Sequence, residues 1–173
     1  MSQEPSSVRD PVQELREAFD SAFRYAPTVA TDPPEDLLAI RAGEVPYALR
    51  LSEITGVHRD KSITALPGTP PELAGIAGFR GAVVAIYDLR VLLGTGGTGT
   101  CRWLILAAPD STVGFAFDQF EGHLRVPRAD IATEEIAKPE LARPRQTVRV
   151  AGVARPIASI PALREAIEVP YQL

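Results

Sequence analysis

Catalytic raw material is scarce in this sequence. One cysteine, Cys101, and two histidines, His58 and His123, are all it carries. No intramolecular disulfide can form, and no CxxC or HxxxH spacing offers a metal site, so neither a metal nor any other cofactor is expected. A chain with one cysteine fits a reducing compartment. Lysine is nearly missing: Lys61 and Lys138 stand among 18 basic residues, against 22 acidic ones. The net charge of −4 and pI near 5.3 argue against the basic face of a nucleic-acid binder. A single tryptophan, Trp103, gives little to stack bases on. The longest apolar runs, AVVAIY and WLILAA, are too short to cross a bilayer. The opening MSQEPSSVRD lacks a basic stretch leading into an apolar one, so no signal peptide is expected. These absences together predict a cytoplasmic protein without direct membrane insertion.

The groups that chemistry would need are present only in unpromising settings. Ser52, His58 and Asp60 contain the types of a hydrolytic triad, but no GxSxG elbow surrounds the serine. Arg102 beside Cys101 favours thiolate, whereas the apolar strand that follows favours ordinary burial of the thiol. Glu134 and Glu135 read as a solvated helix start rather than an acid–base pair, which needs one carboxyl in an apolar pocket. The glycines of GTGGTGT lack the Lys-Ser/Thr ending of a phosphate-binding loop and read as a connector. No enzymatic activity is expected from this inventory.

What is present is strand. Val12, Leu15, Phe19, Ala22 and Phe23 form one helical stripe, with Asp10 to cap it and Pro11 in its first turn. Pro33 and Pro34 then bar helix continuation, leaving residues 1–34 as an amphipathic helix plus linker. From Leu37 the pattern becomes short strands separated by turns, an all-β pattern of the barrel type. A last short helix is predicted over PALREAIE. The chain also repeats itself. AGFRGAVVAIYDLRVLL (Ala77–Leu93) lies without gaps on AGVARPIASIPALREAI (Ala151–Ile167), setting Ala77–Gly78 on Ala151–Gly152 and Leu89–Arg90 on Leu163–Arg164. Two similar halves related by a pseudo-twofold follow, over roughly residues 37–94 and 101–168 of a domain spanning 35–170.

Three segments resemble a known family. LPGTPP (Leu66–Pro71), GIAGFRG (Gly75–Gly81) and YDLRVLLG (Tyr87–Gly94) are similar to the CheW-like domain of bacterial chemosensory systems. TVGFAFDQFEGHLRV looks like the family's second-half strand pair, with Asp118 in the family's Asp place. The resemblance implies two intertwined, pseudo-symmetric SH3-like β-barrels. It also implies a non-enzymatic adaptor that links the cytoplasmic tips of chemoreceptors to the regulatory domain of a CheA-type histidine kinase. An alternative is a divergent module that binds the kinase alone, as an accessory or inhibitory subunit.

Carried over residue by residue, the resemblance puts Ile54, Gly56 and Val57 at the kinase contact. It puts Phe79, Arg80 and Gly81 at the receptor groove. Two readings of Arg80 stand side by side: a guanidinium reaching a receptor helix, or one bracing its own loop through carbonyl hydrogen bonds. The chain departs from the family pattern at Gly78, where asparagine is usual, at Phe79, where leucine is usual, and at Ala162, where many members carry Asp or Asn.

Overall fold

The computed structural model describes residues 32–133 and 144–168. The helix expected over residues 12–23 and the Glu134–Glu135 pair lie outside them. The chain runs through β1 (Glu35–Ala42), β2 (Val45–Arg50), β3 (Ile54–Arg59), β4 (Leu73–Phe79) and β5 (Ala82–Asp88) into a short helix, α1 (Leu89–Leu92). It continues as β6 (Trp103–Ala107), β7 (Val113–Phe117), β8 (Gln119–Val126), β9 (Ile131–Thr133), β10 (Gln146–Val150) and β11 (Val153–Ala158), then α2 (Ile160–Glu168). The structure is mostly β, and the short C-terminal helix is present.

The strands divide into a six-stranded sheet, ordered β8-β1-β2-β11-β10-β9, and a five-stranded sheet, ordered β3-β6-β7-β5-β4. Replacing β1, β2, β8, β10 and β11 by β6, β7, β3, β4 and β5 turns the first order into the second, with β9 left as an extra edge strand of the first. Strand directions follow the same exchange: β2 and β11 are parallel, as are β7 and β5, and the other equivalent pairs are antiparallel. Each sheet therefore takes its central hairpin from one half of the sequence and its flanking strands from the other.

The runs LLAI and LILA are apolar at every position because both of their faces are covered. In β1, Leu38 and Ile40 point into a core between the sheets, where they meet Ile105, Phe115 and Phe117. Leu37 points the opposite way, to Ala48, Val148 and Ile157. In β6, Ile105 joins the shared core while Leu104 and Leu106 face Phe79, Val84 and Ile86. Each such side chain stabilises the fold by roughly 1.5–3 kcal/mol through burial.

Two features differ from the sequence reading. Neither sheet closes into a barrel through its strand pairing: the orders end at β8 and β9, and at β3 and β4. Only an isolated Thr64–Ile76 bridge joins the segment after β3 to β4. Pro67, Pro70 and Pro71 follow it at once, and a proline has no N–H to extend a ladder. The repeat register also shifts. The β4–β5 turn is Arg80–Gly81, with φ of +46° and +86°, and the β10–β11 turn is Ala151–Gly152, with φ of +49° and +80°. The structure thus aligns Arg80, not Ala77, with Ala151. The gapless alignment rewarded matching letters, whereas the turns must match in backbone hand, as two-residue hairpins with positive φ at both positions do.

Candidate protein-interaction surface

The sequence-predicted positions lie on the two edge strands of the five-stranded sheet. Phe79 ends β4 and is buried, whereas Arg80 and Gly81 are exposed in the hairpin turn. Arg80 makes no hydrogen bond and no ion pair among the described residues, so the bracing contacts are not seen there. Its left-handed backbone is costly for a side chain with a Cβ, on the order of 1 kcal/mol. At Gly78 the backbone is ordinary strand, and an added Cβ would meet nothing within 4 Å. Gly78 therefore leaves bare a spot where the family's asparagine would fit.

Ile54, Gly56 and Val57 lie on β3, where the pairing register with β6 shifts between Ile54 and Gly56. Ile54 packs against the shared core and Val57 is exposed. The other backbone edge of β3 carries no paired strand within the sheet. The two groups adjoin through His58, a residue without an assigned role in the sequence reading. A Cβ on Gly56 would sit 2.9 Å from His58 Nε2. The imidazole in turn packs on the Phe79 ring, with centroids 4.8 Å apart. Burial, and then the charges of Lys61 and Arg80, hold its pKa below the ordinary histidine value. This contact across the sheet opening leaves no local pattern in the sequence.

The remaining candidates resolve as structure. Asp60 is bound by Arg102 at 2.9 and 3.1 Å, and His58 is packed on Phe79, so the triad types do not converge. His123 pairs with Asp36 at 3.0 Å on the surface. Cys101 lines a cavity of about 260 Å³ with Asp88 and Arg90. Burial and the nearby Asp88 push its thiol up to about 12, so the thiol form dominates at neutral pH despite Arg102 next door.

The YDLRVLLG motif builds a partly buried ionic centre around a buried arginine. Asp88 caps α1 by accepting the Arg90 N–H at 2.9 Å. Its carboxylate also binds the Arg90 guanidinium, which reaches Asp118 at 3.1 Å and the Gly99 carbonyl at 3.2 Å. Asp118 accepts the Gly43 N–H at 2.6 Å. One arginine, 7% exposed, therefore ties α1 and the β7–β8 junction together, and through Asp118 the β1–β2 turn. The glycine tract is part of this centre. Thr95 donates to the Arg90 carbonyl, and a Cβ on Gly97 would strike the Arg90 side chain at 2.9 Å. Glycine is required there by close approach and by a φ of +139°.

Known proteins resemble this chain in sequence and in fold. The chain is 28% identical to the probable chemotaxis protein CheW of Rhizobium etli, over 66% of this chain and 72% of that one. It is 30% identical to protein FrzA of Myxococcus xanthus, over 57% of this chain and 64% of FrzA, just under two thirds of that protein's length. The crystal structure of the scaffolding protein TtCheW from Thermoanaerobacter tengcongensis superposes with a TM-score of 0.64 at 21% identity, covering 72% of this chain and 88% of that one, and so shares the fold. The CheW-like domain pattern matches residues 36–160, from β1 to the first residue of α2. With nearly all of both sheets, the partly buried Asp88–Arg90 pair and the Arg80–Gly81 turn inside that match, the chain belongs to the CheW-like domain family.

Proposed function

We propose that this protein is a non-enzymatic adaptor that couples chemoreceptors to a CheA-type histidine kinase in a chemosensory signalling array. Residues 35–170 form the adaptor module in this reading, its two open sheets serve as two SH3-like barrels, and the protein works in the cytoplasm. Among the described residues no helix is long and apolar enough to cross a membrane. The observation that carries the reading is Arg80: an exposed guanidinium with no hydrogen-bond partner among the described residues, on a strained turn, beside a free strand edge.

A planar guanidinium with open donors suits carboxylates or carbonyls on a receptor helix, with Phe79 and Gly81 fixing where it emerges. The β3 edge at Ile54, Gly56 and Val57 offers the kinase regulatory domain unpaired backbone groups and the exposed Val57.

Capture on the immobilised full chain from the source cell tests this directly. Recovery of a histidine kinase together with receptors is expected, and Arg80→Ala should lose the receptors, keep the kinase and change folding stability by less than about 0.5 kcal/mol. Recovery of the kinase alone by the wild type would remove the receptor half. A stability loss above about 2 kcal/mol in Arg80→Ala would return Arg80 to a bracing role.

A further inference from the structure

Two cationic or protonatable side chains, His58 and Lys61, lie against one aromatic ring at the open side of the five-stranded sheet, and a third, Arg80, follows that ring in the chain. Lys61 Nζ lies 4.9 Å from the Phe79 ring centre. His58 packs on the same ring, tilted by 58°, and Arg80 is the next residue in the chain. Both charges that act on His58, those of Lys61 and Arg80, are positive. The neighbouring acid, Asp60, is already engaged by Arg102 and Arg59. From β6, the residue opposite His58 is the apolar Leu104, and the charged residue of the preceding segment is that same paired Arg102. No carboxylate among the described residues pairs with Lys61 or Arg80. On a chain with a net charge of −4, the fold thus brings like charges together and supplies no counter-charge.

We propose that His58, Lys61 and Arg80 form a cationic rim around Phe79 that recognises the carboxylates of an acidic segment of a partner protein. The proposal rests on the receptor-side reading of Arg80 and adds Lys61 and His58 as specificity-determining residues. The charge excess selects the occupant: an acidic segment offsets the positive charge of Lys61 and Arg80, and of His58 when it is protonated, and a basic or neutral one does not. Protonated His58 adds a donor and a charge, so binding strengthens as pH falls through the histidine's titration, and bound carboxylates raise that titration point.

The test is an NMR titration of the isotopically labelled full chain with three probes: a soluble peptide bearing glutamates at four-residue spacing, its lysine-substituted counterpart, and a single-stranded oligonucleotide. The glutamate peptide should move the signals of His58, Lys61, Phe79, Arg80 and Gly81 and raise the His58 titration point, while the lysine peptide does neither. Lys61→Glu, with an unchanged circular dichroism spectrum, should bind it roughly two- to tenfold more weakly. No response to the glutamate peptide, equal binding by Lys61→Glu, or a tighter response to the oligonucleotide would overturn the rim. Receptor capture by the same protein separates the two proposals. A peptide response without receptor capture keeps the rim and ends the receptor reading, and capture with no peptide response and no effect of Lys61→Glu does the reverse.

Discussion

The hairpin turns Arg80–Gly81 and Ala151–Gly152 share a backbone and differ in one side chain. Both open with a residue that carries a Cβ in the left-handed region, and both close with glycine. At the second turn a methyl group suffices to fold the hairpin, so the guanidinium at the first exceeds what the hairpin needs. The internal repeat acts as a control built into the molecule: what both halves share serves the scaffold, and what one half has alone points to something else. A contrast of another kind comes from two helix-borne arginines that the letters match but the structural register does not, since it sets Pro161 opposite Arg90. Arg90 is buried against Asp88 and Asp118, whereas Arg164 meets Asp110 at the surface and the Ala108 carbonyl.

The largest effect should separate those two arginines. Arg90→Ala leaves two partly buried carboxylates uncompensated and should cost about 3–5 kcal/mol in urea unfolding. Arg164→Ala removes a solvent-screened pair and should cost about 1 kcal/mol or less. Equal losses would break the comparison. A smaller effect concerns acid. Arg164, and then Thr112, hold the Asp110 carboxyl at about 2, below the ordinary aspartate range. A depressed carboxyl stabilises the fold fully above its unfolded value, near pH 4, and loses that contribution as pH falls towards about 2. The thermal midpoint should therefore fall less steeply over that window in Asp110→Asn than in the wild type. Smallest of all, Ala151→Arg and Gly78→Asn should each leave the denaturation midpoint within about 0.5 kcal/mol of the parent. Ala151→Arg should also recruit no receptor, since only the Phe79 turn has the surrounding rim.

Most strands were legible because their apolar runs and turn residues are local signals. The pseudo-twofold was legible as well, but its register was not. Letters repeat at Leu89–Arg90 and Leu163–Arg164, while the helix caps that structure equates are Asp88 and Ser159. The caps are different residues doing one job, so identity matching slides past them. The GTGGTGT tract read as a connector because nothing nearby shows that Arg90 folds back beneath it. The His58–Phe79 contact was hidden for a related reason. It joins two edge strands that do not pair with each other, so neither periodicity nor spacing carries it.

The exchange of hairpins between sheets reaches beyond geometry. A cut in the loop between Leu93 and Cys101 would leave one piece with β1 and β2 lacking their outer neighbours, and the other with β6 and β7 in the same condition. Neither piece could finish a sheet by itself, yet the two together hold every strand both sheets require. The molecule is in effect an obligate pair of halves written as one polypeptide, and the loop between them decides that each half always meets its mate.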